Sequence, residues 1–250
     1  MASISRYVRD YGNKTFFEEP FNEIDNVVFS SLIYLNYEGI VPENRKYIRL
    51  EEAGIKYLEK YSYFEISKLG IAQKVSYQLL KQVVNTVRYK DVLMYNFKYI
   101  ADSDRQFGAV CFKVKKNFTY VAFEGTDNLL SGWKEDFELS YKFPVPAQTL
   151  AIEYINKRVR FYDKNVMVGG HSKGGNLALV SSMFAKKLVN KKIKKIYSND
   201  GPGLRKAEIE SDNYKRVRDR LIHIVPNYSY IGVLLRNDKF KVIKSTRREF

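Results

Sequence analysis

The chain has 250 residues and carries 43 Lys and Arg against 28 Asp and Glu, a formal net charge of +15. An apolar content of 45% argues against intrinsic disorder, and this length suffices for one domain with a full core. A single cysteine, Cys111, excludes an internal disulfide, and one cysteine with two histidines in no ligand-like spacing argues against a zinc site.

The N-terminus, MASISRYVRDYGNK, lacks the continuous apolar stretch of a secretory signal, and no window approaches the ~18 apolar residues of a membrane span. A cytoplasmic protein is therefore expected. The first hundred residues read as mainly helical. In FNEIDNVVFSSLIYL, Ile24, Val27, Val28, Ser31, Leu32 and Leu35 share one helical face, with Asn22 as the expected cap. In SKLGIAQKVSYQLLKQVVNTV an apolar residue recurs every four positions from Ile71 through Val75, Leu79 and Val83 to Val87, with Ser67 as the expected cap. The period then changes. FGAVCFKV (107–114) and FTYVAFEG (118–125) are short β-rich runs joined by Lys-Lys-Asn, the pattern of a hairpin, and Cys111 within the first is expected to be a buried structural thiol.

A helix is predicted from Gln148 to about Tyr162, then strand VMVG from Val166, then a helix from Lys173 to Val189. Strand IKKIYS (193–198), the loop Asn199-Asp200-Gly201-Pro202-Gly203, a helix over 205–219 and strand LIHIV (221–225) follow. The segment YIGVLL and a last strand KFKVIKS close the chain. Strands alternating with helices predict an α/β fold with a mostly parallel sheet covered on both faces, made mixed at one edge by the hairpin. The expected organisation is one domain over 1–250. In it a helical, cap-like region (1–100) packs on a catalytic core (105–250).

The corner between the predicted strand at Val166 and the helix at Lys173 carries the chemistry. Gly170-His171-Ser172-Lys173-Gly174 fits G-x-S-x-G between a strand and a helix, the context of a nucleophile elbow. The serine must adopt a strained backbone to lift its hydroxyl above the sheet, so Gly170 and Gly174 are needed where strand and helix pass closely. The helix N-terminus directs its free N–H groups at the reacting centre, which makes the Lys173 N–H one oxyanion donor. The competing reading of this turn is a phosphate-binding, non-catalytic corner. A second donor is expected from Thr126, in the Gly125-Thr126-Asp127 loop after FTYVAF, with Asp127 bracing that loop.

Phe-Glu-Gly-Thr (123–126), Trp133-Lys134-Glu135-Asp136-Phe137 and then Gly-His-Ser-Lys-Gly-Gly-Asn-Leu-Ala (170–178) resemble the class 3 lipase pattern. With YGNKTFFEEPFNEIDNVVFSSLIYL near the start, the Asn199–Gly203 loop, and Ile-Val-Pro and Gly-Val-Leu-Leu near the end, the chain looks most like the Mbeg1-like (DUF2974) branch of the α/β-hydrolases. The resemblance spans about residues 11–245. It implies an α/β-hydrolase fold and a lipase- or esterase-like serine hydrolase; no cofactor and no metal are expected.

A serine nucleophile needs a base and an orienting carboxylate, in the chain order Ser, acid, His. Asp200, at the carboxyl end of strand IKKIYS, is the expected acid; its competing role is an Asx turn. The class 3 lipases place the acid after the next strand, where this chain reads Pro226-Asn227-Tyr228-Ser229-Tyr230 without a carboxylate. Of the two histidines, His171 adjoins the serine and is expected to brace or pack. His223 follows Asp200 but sits mid-strand, where a satisfied core histidine is the alternative. The resemblance implies a histidine after the last strand, and Ser245-Thr246-Arg247-Arg248-Glu249-Phe250 has none. The expectation is weak turnover, from an incomplete C-terminal end, an inactive relative, or His223 standing in as base.

Three functions compete. The first is hydrolysis of an acyl or lipid ester at Ser172, with peripheral contact to an anionic membrane surface favoured by the net charge. The second is a non-catalytic, hydrolase-like module that binds acyl or lipid ligands. The third is a nucleic-acid or acidic-polymer binder, which rests on charge alone: runs such as Lys191-Lys192-Ile193-Lys194-Lys195 lack interleaved aromatics and read as a solvated helix end.

Overall fold

In a strand paired on both sides, successive side chains enter opposite layers. All six residues of Phe118–Phe123 are buried, and they divide that way. Tyr120 and Ala122 join one core, Val121 and Phe123 the other. The computed structural model, which describes residues 4–102, 105–126 and 138–244, builds both layers around a single sheet.

The sheet has eight strands in sequential order: β1 (Ile48–Arg49), β2 (Leu93–Ala101), β3 (Gln106–Lys115), β4 (Phe118–Phe123), β5 (Asn165–His171), β6 (Ile193–Asn199), β7 (Leu221–Pro226) and β8 (Lys241–Ile243). Pairing is antiparallel from β1 to β4 and parallel from β4 to β8, which gives the expected α/β class with its antiparallel edge. Parallel strands laid down in sequence by right-handed crossovers always step in one direction, so their connecting helices share one face. Accordingly, the Pro146–Arg158 helix and the elbow helix, Lys173–Met183, pack together with Val121, Phe123, Val166 and Val168. The opposite face is left to the N-terminal helices α1 (Ile4–Tyr11), α2 (Glu23–Leu32), α3 (Leu50–Lys60), α4 (Tyr63–Ser67) and α5 (Ile71–Val83).

Helix α2 is capped as expected. Asn22 accepts from the N–H groups of Ile24 and Asp25, and the Asp25 carboxylate answers the Asn22 N–H. Asp25 is fully buried and is held by Arg88 through Nε–Oδ1 at 2.8 Å and Nη2–Oδ2 at 2.6 Å, with Tyr89 donating at 2.7 Å. Arg88 also donates to the Glu19 carbonyl at 3.0 Å, so one guanidinium fastens α2 to the chain before it. Burial and the Asp25 carboxylate hold the Tyr89 phenol well above its ordinary pKa, so it serves as a donor only.

Four sequence readings are corrected. Ser67 caps no helix; it ends α4, and Gly70 at φ 157° starts α5 in its place, a backbone that glycine alone adopts freely. The helix predicted over 205–219 is two short turns, Lys206–Ile209 and Asp212–Lys215, then a 3-10 turn. The elbow helix stops at Met183 and a separate turn, Lys187–Asn190, follows. The expected hairpin is the later part of a three-stranded meander begun by β2. That strand is obscured in the sequence because Asn96, at φ 55°, bulges between Tyr95 and Lys98 and breaks the two-residue alternation. Among the described residues no helix is long and apolar enough to cross a membrane.

Candidate active site

Chain direction in a parallel sheet collects the ends of β4, β5 and β6 on one edge. Ser172 sits there with φ 54° and ψ −129°, outside the regions an L-residue favours. The strain is held from both sides. The Ser172 N–H donates to the Asn199 carbonyl at 2.9 Å, and its own carbonyl receives the Gly175 N–H at 2.9 Å as the helix begins. The two elbow glycines are required by contact. A methyl group on Gly170 would press into the Gly174 backbone and the Phe123 carbonyl, and one on Gly174 into the Phe123 carbonyl and the Glu124 backbone.

The first turn of the elbow helix thus lies against the end of β4, and the Gly125–Thr126 loop reaches the same corner. A Cβ on Gly125 would collide with the His171 carbonyl and the Tyr34 hydroxyl. The Lys173 side chain, 1% exposed, donates to the Gln106 carbonyl at 3.1 Å and to Gln106 Oε1 at 2.6 Å. Gln106 Nε2 in turn donates to the Gly125 carbonyl at 3.2 Å. The lysine after the serine therefore ties the elbow to the loop through β3, a role the sequence reading did not give it. Asp127 and the Trp133–Phe137 segment lie outside the described residues.

Asp200 stands at the end of β6, buried, at φ 54°. Its N–H donates to the Ile224 carbonyl at 2.7 Å and its Oδ1 accepts from the Gly232 N–H at 3.1 Å. Burial pushes its carboxyl above the ordinary Asp pKa, opposed by hydrogen bonds from Ser229 and Gly232, and Oδ2 is buried with no hydrogen-bond partner. The next residue closes on the elbow: a Cβ on Gly201 would lie 2.9 Å from the Ser172 carbonyl oxygen.

The histidines are placed differently. His171 turns to the opposite side of β5, where its Nδ1 is 2.9 Å from the Tyr34 hydroxyl, and burial lowers its pKa to about 4. His223, in register with Ser198 on β7, is buried beside the Gly201 backbone and the Asn237 side chain; burial lowers its pKa against those two contacts. Its Nε2 has no hydrogen-bond partner. No hydrogen bond among the described residues joins either histidine to the Ser172 hydroxyl. The fold thus gathers Ser172, Lys173, Thr126, Asp200, Gly170 and Gly174, and leaves His223 behind the Gly201 turn.

Asn199 is a site residue that sequence reasoning missed. Its carbonyl holds the Ser172 N–H, and its Nδ2 donates to the Gly170 carbonyl at 3.1 Å, to Ser30 at 3.1 Å and to Asn26 at 3.2 Å. Asn26 Nδ2 returns a bond to Asn199 Oδ1 at 2.8 Å, and Tyr120 donates to Asn26 at 2.6 Å. This buried network welds α2 to the elbow. Its one signal in the sequence was an amide directly before Asp200.

Ser172 opens on a cavity of about 100 Å³ whose other walls include Leu139, Pro202, Ile231, Leu234 and Leu235. The surroundings are apolar, and the residues flanking that wall, Tyr230 and Val233, are exposed.

No curated protein matches the sequence. Among solved structures, the crystal structure of M37 lipase is similar, with 16% identity and a TM-score of 0.41 over 68% of this chain. The chain spans 65% of that lipase's length. The model of the Mbeg1-like family matches residues 83–250, about two thirds of the sequence, and the chain belongs to that family.

Proposed function

We infer that the protein is a serine hydrolase of the lipase or esterase type, on an α/β-hydrolase scaffold, acting on an acyl ester with Ser172 as nucleophile. The observation that carries the reading is the strained Ser172 backbone at a strand-to-helix corner, beside both a helix N-terminus and the Thr126 loop. Ser172 Oγ attacks the ester carbonyl and loses its proton to a base; the carbonyl oxygen becomes an oxyanion facing the Lys173 and Thr126 N–H groups. Collapse breaks the ester bond, the alcohol departs with the proton, and water then hydrolyses the acyl-enzyme. Asp200 orients the base, its buried Oδ2 being an open acceptor for an imidazole N–H. His223 is assigned as base; Gly201 must shift for its ring to approach Ser172. The apolar cavity takes the acyl part, and the net charge of +15 favours encounter with esters at an anionic membrane surface.

A specific observation favours a second reading, a non-catalytic module that binds acyl or lipid ligands: among the described residues no hydrogen bond joins either histidine to the Ser172 hydroxyl. Fluorophosphonate labelling and p-nitrophenyl butyrate turnover, each compared with Ser172→Ala and His223→Gln, separate the two. The hydrolase reading expects labelling that Ser172→Ala abolishes, with turnover roughly a thousandfold below a complete triad. Butyryl ligand binding with neither labelling nor turnover leaves the binding module.

A further inference from the structure

A second cavity lies apart from the one at Ser172. A space of about 400 Å³ lies between the N-terminal helices and the sheet, walled by Tyr34, Tyr57, Tyr61 and Tyr99, with Ile66, Leu69, Glu65 and Glu124 also in its lining. It adjoins the site through Tyr34, whose hydroxyl meets His171.

The lining decides what fits. Tyr57 is held as a neutral phenol, its pKa raised by burial first and then by Tyr61, Tyr77 and the Glu124 charge. Glu65 is exposed to solvent and kept ionised by hydrogen bonds from the Ser62 hydroxyl and N–H. An anion would meet the like charge of Glu65 and Glu124. A weakly hydrated cation gains from both the ring faces and the carboxylates. The tyrosine wall already receives one cation: the Lys60 ammonium lies 5.0 Å from the Tyr61 ring centroid. Two acidic residues and no basic one in the lining stand out in a chain whose net charge is +15.

We propose that this tyrosine-walled cavity binds a cationic alkylammonium group. The site is independent of chemistry at Ser172. The test is calorimetry and ligand-observed NMR with choline, with its neutral isostere 3,3-dimethylbutanol, and with dihexanoylphosphatidylcholine below its micelle concentration. Choline binds and the isostere does not. If the short phosphatidylcholine binds more tightly than choline, the source is a lipid headgroup; if it binds less tightly, a free amine. Tyr61→Leu and Tyr99→Leu weaken choline binding about three- to thirtyfold, whereas Tyr61→Phe retains it. Both rings are half-buried, so these variants are expected to fold, which circular dichroism checks. Ser172→Ala binds choline as the parent does, which separates this proposal from the hydrolase reading. Equal binding of the isostere, unchanged binding in folded Tyr61→Leu and Tyr99→Leu, or no saturation by about 10 mM choline overturns it.

Discussion

A side chain at φ 54° and ψ −129° is costly, and Ser172 keeps it because the Asn199 carbonyl, the helix start and two glycine contacts leave no alternative. Glycine carries no Cβ penalty there. Ser172→Gly is therefore expected to raise stability by about 1 kcal/mol, after offsetting glycine's greater loss of entropy, while abolishing fluorophosphonate labelling. Chemical denaturation and labelling on the same preparation check both halves; a destabilised Ser172→Gly would mean the corner stores no strain. At this scale the sequence was informative because the constraint is local. Gly170, Ser172 and Gly174 are contiguous, and their types follow from one tight turn. Asn199 and Gln106 were not legible, since their roles depend on partners far along the chain: Asn199 bonds Asn26, and Gln106 bonds Lys173.

Among the elements, α2 has the longest reach. It is pinned at its start by the fully buried Asp25–Arg88 pair and delivers Asn26 and Ser30 to Asn199 beneath the elbow. Removing one partner of a buried pair leaves the other charged and unsolvated. Asp25→Ala is expected to cost about 3–5 kcal/mol, and Asp25→Leu combined with Arg88→Met to recover much of that. Urea denaturation checks this, and a double variant no more stable than Asp25→Ala would sink it. Elements with an undisturbed period were legible, including α2 with its Asn22 cap, the strands β3 to β7 and the start of the elbow helix. Where the period was interrupted the reading failed: β2 is broken by the Asn96 bulge, and Gly70, which separates α4 from α5, caps α5 three residues after the expected Ser67. A bulge or a glycine break resets the period on which such reading depends.

For the whole molecule, acid is the revealing variable. His171, with its pKa lowered by burial to about 4, is neutral in the folded state where the unfolded chain, near 6.5, takes up a proton. Its contribution is present above pH 6.5 and is lost as pH falls towards 4. His223, also lowered by burial, acts in the same sense. Asp200, raised by burial, acts oppositely and at lower pH, favouring the folded state once protonated. Stability should fall between pH 6.5 and 4, and His171→Asn should lessen the fall by about 3 kcal/mol at most. Urea midpoints across that range measure it, and an identical fall in the variant would exclude His171 as the cause. The sequence by itself determined the α/β class and the strand–corner–helix around Ser172, because hydrophobic period and turn chemistry act over a few residues. Only the tertiary structure decided that the Gly125–Thr126 loop and Asp200 meet that corner, that the Lys173 side chain reaches back to Gln106, and that His223 lies behind Gly201. Those relations are made by strand order and packing between residues many positions apart, and no local pattern encodes them.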